Sequence, residues 1–533
     1  MSVSRRQFLA APAVLAWPAA QAAVADTAPA GTPVRGGTLV IGVGREPPVL
    51  TSAITTAGPT QTVSGKVFDG LLTYDANLQP QAQLATRWET SADGLAITFQ
   101  LRPGVKWHDG QPFTSADVAF SVLEAWKKYN ARGRATFANV ERVDTPSPLT
   151  AVLRLSKPAP YILRALSSIE SQVIPKHLYA GTDVLTNPRN NAPVGTGPFR
   201  FVRWERGRQL MLERNPDYWD TGKPYLDRIV FQQLPDPAAA SAALETGAVH
   251  LSAELPLSEL AGIAAKPNLV LHRRTANATA GITGFEFNLE RPLFQDVRVR
   301  RAIAHAVDRE FLLKNVWYGY GTVAQAPIPK PFAEFYTDDV PRYDFDLKRA
   351  EALLDEAGYK RNAKGIRFTF TNDPNATSAT LSQTAQVLRS NLARIGVRMD
   401  VRTQDFGEFV NRVYTRRDFD TIIYAASAGP DPVIGTQRFY WSKNIQPGVA
   451  FSNAAGYRSA EADRLLEAGQ TEIDPAKRRA LYVRFQQVAE TDLPKIPLIS
   501  GETVVVARKN LRNFLDAGDG AGGNFASAWL AAA

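Results

Sequence analysis

Five histidines are the first place to look for catalysis or metal binding in this chain of 533 residues. Their spacing suits neither. His108, His177, His250, His272 and His305 stand far apart, and no His-Glu-x-x-His pair sets two imidazoles on one helix face. A Gly-x-Ser-x-Gly nucleophile turn is absent as well. With no cysteine in the chain, disulfides, thiolate metal sites and cysteine nucleophiles are all excluded. The carboxylates Asp338-Asp339 adjoin Pro341 and read as a solvated loop pair. Gly195-Thr196-Gly197 has the opening of a phosphate loop but lacks its third glycine, its lysine and a following helix. The sequence therefore predicts no catalytic residue, no metal site and no cofactor. What is left is recognition chemistry.

The elements that must position such groups mix strands and helices. Gly37–Val43 is nearly continuously apolar and reads as a buried strand, Ala96–Leu101 as an alternating one, and Leu149–Leu155 and Phe199–Trp204 as two more. Asp109-Gly110 marks a turn, and Thr114-Ser115-Ala116-Asp117 opens a helix with a reciprocal cap. Apolar spacing predicts one helix over Val297–Leu313. Further helices over Leu347–Ala357 and Gln383–Ile395 close at Gly358 and Gly396, the second followed by the strand Val397–Val401. Ala460–Thr491 is helix-rich and stops before Pro494. This alternation indicates α/β or α+β lobes, and the length suggests two or three of them.

The N-terminus carries an address. Ser4-Arg5-Arg6-Gln7-Phe8-Leu9, the short apolar run to Ala20 and the small exit Gln21-Ala22-Ala23 have the three parts of a signal peptide. The paired arginines match the twin-arginine type, which exports folded protein. Cleavage is expected after Ala22, Ala23 or Ala25, which lowers the formal charge from +9 to +7 by removing Arg5 and Arg6. No later run is long enough to span a membrane. The remaining basic residues are interleaved with acids, as at Arg416-Arg417 beside Asp418 and Asp420, which argues against a nucleic-acid groove.

Several segments, in order, resemble the peptide/nickel/opine class (family 5) of periplasmic solute-binding proteins that serve ABC importers. They are Phe68-Asp69-Gly70-Leu71-Leu72, Leu84-Ala85-Thr86-Arg87-Trp88, Leu101 through Thr114, Gly195-Thr196-Gly197-Pro198-Phe199, Arg214-Asn215-Pro216-Asp217-Tyr218-Trp219, Asn288 through Ile303, and Asp431-Pro432. The resemblance implies an α/β, two-lobed Venus-flytrap fold with an extra inserted domain. Domain I is expected over 36–69, 190–278 and 503–533 after a flexible lead-in at 23–35, domain II over 70–189, and domain III over 279–502. It also implies a periplasmic monomer that captures a small-molecule ligand between its lobes and delivers it to a membrane ABC permease. A receptor feeding a chemosensor, a chaperone-like binder and a carrier of chelated nickel are the alternatives on the same scaffold.

Carried onto this sequence, the resemblance places Thr55, Thr56 and Ala57 in the ligand loop of the first lobe. From the second lobe, the strand ending at Tyr424 delivers the small-residue loop through Ser427 to Asp431, which either binds a cation or caps its own loop. The informative residues are the departures. Peptide-binding relatives carry Trp-x-x-Asp ahead of Asp-Pro, and here those positions are Ala425 and Ala428. The arginine that grips a dipeptide carboxylate falls at Asn375. Without either anchor a free zwitterionic dipeptide in the usual pose is disfavoured, because a buried unpaired charge costs several kcal/mol. Arg438 is the expected replacement anion anchor, with Trp441 beside it; Arg132 and Arg134 are weaker candidates.

Overall fold

The computed structural model of the protein describes residues 31–274, 280–375 and 378–532; the leader lies outside them. Apolar strands gather into two large sheets. The first has seven strands in the spatial order Leu269–Arg274, Thr503–Arg508, Leu251–Ser252, Thr38–Val43, Arg228–Gln233, Gln209–Arg214 and Phe199–Glu205. Its centre is Thr38–Val43, paired in parallel with a neighbour on each side, which is why both of its faces are covered and its run is apolar.

The second sheet has six strands, ordered Gly321–Val323, Lys495–Gly501, Gly281–Phe287, Thr421–Ser427, Phe368–Pro374 and Val397–Val401. A separate four-stranded antiparallel sheet, Ala85–Thr90, Ala96–Leu101, Thr150–Leu155 and Val140–Ser147, is inserted between strands of the first. Sequence periodicity located Thr38–Val43, Ala96–Leu101, Thr150–Leu155, Phe199–Glu205 and Val397–Val401 within a residue or two, since each buries one or both faces.

The chain crosses directly from the six-stranded to the seven-stranded sheet at Glu502. There Arg273 Nε donates to the Glu502 carboxylate at 2.6 Å and an Arg273 terminal nitrogen donates to the Gly319 carbonyl at 2.8 Å, pinning the crossing from both sides. The inserted sheet is tied to the first lobe by polar bonds. Asp69, fully buried, accepts from Trp219 Nε1 at 2.9 Å and Gln83 Nε2 at 2.7 Å. His108 bridges Gly195 and Gly197, and a methyl group on either glycine would overlap the backbone at Val67. The Gly-Thr-Gly segment is thus a close-packed bend.

One helical expectation needed correction, and a second segment resolved into two helices. Val297–Leu313 is not one helix: it divides into Val297–Ala306 and Arg309–Asn315, with Val307 extended at ψ 114°. Asp308 accepts from the Phe311 N–H at 2.9 Å, so its N-cap chemistry starts a new helix inside a continuous apolar pattern. The helix-rich stretch Ala460–Thr491 holds two helices, Ala460–Thr471 and Pro475–Asp492, the second capped by Asp474 and led by Pro475. The reciprocal cap at Thr114 is present in part as the Asp117 carboxylate accepting from the Thr114 N–H at 2.9 Å.

Candidate ligand-binding cleft

The second lobe presents the loop that follows Thr421–Ser427. Small side chains there let backbone approach backbone: a Cβ on Gly281 would strike the Ala426 carbonyl, and one on Gly435 the Ala428 carbonyl. Ser427 Oγ accepts from the Gly429 N–H at 3.1 Å, and Gly429 takes φ +66° to turn the chain. Ala425 is exposed and Ala428 is buried, so neither departure leaves a polar group on this wall.

Asp431 is not available to a ligand. It is fully buried, accepts two bonds of 2.8 Å from the Arg478 guanidinium and a third of 3.0 Å from the Val433 N–H. Arg478 also donates through Nε to the Gly469 carbonyl at 2.8 Å. The pair therefore anchors the cleft loop to two helices, and capping, the second of the two roles open to Asp431, is the one it fills.

Tyr424 forms a wall through a buried triad. Its hydroxyl donates to Glu286 at 2.8 Å and accepts from Lys495 Nζ at 2.9 Å, while Lys495 and Glu286 lie 3.0 Å apart. Around them a cavity of about 40 Å³ is lined by Tyr424, Ser427, Ala428, Phe439 and Tyr440. Trp441 does not line it. Its indole N–H is turned to Glu467 at 2.9 Å on the helix Ala460–Thr471, because alternate residues of this tight segment face opposite ways and Tyr440 takes the inward place.

Arg438 is the anomaly of the cleft. It sits on the short turn Gln437–Phe439, its guanidinium over the Phe439 ring at 4.6 Å, and makes no ion pair among the described residues. Its Nε is enclosed and donates to nothing. Burial pushes its pKa down to about 10, and the nearby charge of Arg132 adds to the effect. Arg132 belongs to the inserted domain and is bound two-pronged to Glu170, at 2.8 and 2.5 Å. Arg438 therefore lies near a pair that is already neutralised. Arg134, on the turn Gly133–Thr136, is exposed and takes no part.

From the first lobe, Thr55, Thr56 and Ala57 are half-buried and lead into the helix Gly58–Val67; Thr55 Oγ1 accepts from the Ala57 N–H at 3.3 Å. That helix borders a cavity of about 350 Å³ at the C-terminal end of Thr38–Val43, lined also by Thr503 beside the interlobe crossing. The ends of parallel strands are where open α/β sheets bind ligands. Asn375 is buried, its N–H donating to the Ile423 carbonyl at 2.8 Å as a continuation of the sheet, and neighbouring Asp373 is held by Arg402 at 3.0 Å. No arginine stands at Asn375 to grip a carboxylate.

Residues 79–447 match the model of the family 5 (middle) bacterial extracellular solute-binding proteins, more than half of the chain. The chain belongs to this family. It is 27% identical over 503 residues to the oligopeptide-binding protein AppA of Bacillus subtilis strain 168, covering 91% of this chain and 90% of AppA. The structure of that protein with a nonapeptide superposes with a TM-score of 0.80 over 94% of this chain and all (100%) of the other. The glutathione-binding protein GsiB of Salmonella typhimurium is 27% identical over 477 residues, 85% of this chain and 87% of GsiB. AgaA from A.tumefacien R10, solved with agropinic acid, matches at 27% identity and TM-score 0.78 over 93% of this chain and 99% of AgaA.

The protein is a two-lobed solute-binding component of an ABC importer. Among the described residues no helix is long and apolar enough to cross a membrane, and no three His, Cys, Asp or Glu side chains could hold a metal ion. The cleft residues that sequence reasoning missed are Glu170, Glu286, Lys495 and Tyr440. Glu286, a lone acid in the apolar strand Gly281–Phe287, was the one local signal; the others meet their partners only through distant chain.

Proposed function

We propose that the cargo is a small peptide-like or modified amino-acid solute, held by a carboxylate at Arg438 rather than by the termini of a free dipeptide. One observation carries the reading. Arg132, Arg478 and Lys495 around the cleft each have a carboxylate partner, and Arg438 has none among the described residues. A cation kept out of water without a partner is costly, so a solute carboxylate meeting it is strongly favoured, in the two-pronged geometry that arginine provides. The Ala425, Ala428 and Asn375 positions supply no acid for an α-ammonium and no second arginine. The ligands named for AppA, GsiB and AgaA are peptides or an acid of opine type, which fits a scaffold that changes cargo by changing a few charges.

The leader residues support export by the twin-arginine route, so that the folded monomer works in the periplasm, carries solute to its permease and catalyses nothing. The test begins with mass spectrometry of solute released from the purified protein by denaturation, followed by calorimetric titration of that solute. Arg438→Ala is expected to weaken binding by roughly 2–5 kcal/mol, the usual range for truncating a desolvated charge partner. Micromolar binding of simple dipeptides, indifferent to Arg438→Ala, would overturn the reading.

A further inference from the structure

The first-lobe cavity has a feature that Arg438 does not explain. Asp519 lines it and is only 8% exposed. The Ser167 hydroxyl bonds to its carboxyl group, yet the Oδ1 atom is closed off and accepts from no described residue. Lys66 is the nearest cation, but it is engaged elsewhere. Its Nζ donates to the Ala521 carbonyl and lies 4.0 Å from the centre of the Phe525 ring, and it forms no ion pair with Asp519 among the described residues. A buried carboxylate oxygen of this kind, in a cavity of about 350 Å³, is a ready acceptor.

We infer that Asp519 is the acceptor of a cation subsite in the first lobe, which takes the protonated amine or guanidinium of the solute. The inference rests on the proposed interlobe cleft and adds a second charge to its cargo. Glu170 relates the two ends: it lies within electrostatic reach of Asp519 on one side and of Arg438 on the other. The charges thus follow one another from the Asp519 carboxyl on the first lobe, by way of the Arg132–Glu170 pair, to the Arg438 guanidinium on the second. Gln61 and Thr62, on the helix Gly58–Val67, add polar groups to the cavity wall. Burial raises the Asp519 carboxyl, and the Lys66 charge offsets this only in part. A cation arriving at Asp519 supplies the charge that the fold withholds. The solute class that fits both ends carries a side-chain cation well separated from its carboxylate, as a basic amino acid with a blocked α-amine does.

Agmatine, which has an amine and a guanidinium but no carboxylate, isolates this subsite. Its effect on melting temperature is measured with the mature chain, Asp519→Asn and Thr62→Lys, using magnesium chloride at matched ionic strength as control. Thr62→Lys keeps Asp519 but puts a cation and its stem at the cavity, so the test survives if Asp519→Asn fails to fold. Agmatine is expected to stabilise the parent. Its affinity should fall roughly tenfold or more in Asp519→Asn and Thr62→Lys, as for loss of a charged hydrogen bond. No stabilisation of the parent, equal stabilisation of the Thr62→Lys protein, or the same Asp519-dependent shift from magnesium would each overturn the inference. Nα-acetyl-alanine, a carboxylate alone, tests Arg438 separately: its failure to bind would count against the anion anchor and leave the agmatine result standing.

Discussion

Removing the Asp431 carboxylate should unfold the protein more readily, and the size of that effect separates a structural acid from a ligand-binding one. Asp431→Asn keeps the shape of the side chain but removes the charge facing Arg478, which is 7% exposed at its side chain and donates two bonds of 2.8 Å to the carboxylate. The guanidinium keeps its Nε bond to the Gly469 carbonyl, a long contact with the Tyr482 hydroxyl at 3.5 Å and its place over the Phe335 ring, but faces a neutral amide in place of its counter-charge. Breaking one side of a buried pair in this way costs about 3–5 kcal/mol, because the remaining charge is neither hydrated nor paired. Replacing both partners with apolar residues, Asp431→Leu with Arg478→Met, should recover most of the loss, since no orphaned charge remains. Urea unfolding followed by tryptophan fluorescence measures all three proteins. If Asp431→Asn stays within about 1 kcal/mol of the parent while solute affinity collapses, the reasoning is wrong and Asp431 contacts the cargo.

Acid should weaken the junction at His108. Its Nε2–H donates to the Gly197 carbonyl at 3.0 Å and its Nδ1 accepts from the Gly195 N–H at 3.2 Å, an arrangement that only a neutral ring can make. Burial lowers its pKa from 6.5 to about 4. Between those values the unfolded chain takes up a proton that the folded site refuses, so stability falls as pH falls from 6.5 and levels off below 4, by about 3 kcal/mol at most. Thermal unfolding across that window should lose this slope in His108→Gln; an unchanged slope would assign it to other groups. Gly195→Ala should lower the melting temperature by an amount equivalent to roughly 1–3 kcal/mol or more, because the added methyl overlaps the Val67 carbonyl oxygen rather than a movable side chain; calorimetry showing no loss would contradict the tight packing of this bend.

The sequence by itself determined the local and the repetitive. Strands with one or both faces buried announce themselves by apolar period, so Thr38–Val43 and Ala96–Leu101 were legible to within a residue. The ordered motifs from Phe68 to Asp431 carried the family, which the match over residues 79–447 establishes. Charge at isolated positions was legible only as possibility. Asp431 and Arg438, seven residues apart, are equally exposed to suspicion in the sequence, and tertiary structure parts them: the helix Pro475–Asp492 brings Arg478 to Asp431, while among the described residues no acid pairs directly with Arg438. The same holds for Glu170 with Arg132 and for Asp519, whose solvent is removed by residues hundreds of positions away. Periodicity follows from a residue's nearest neighbours along the chain, but whether a buried charge is paired depends on what the fold sets against it from afar.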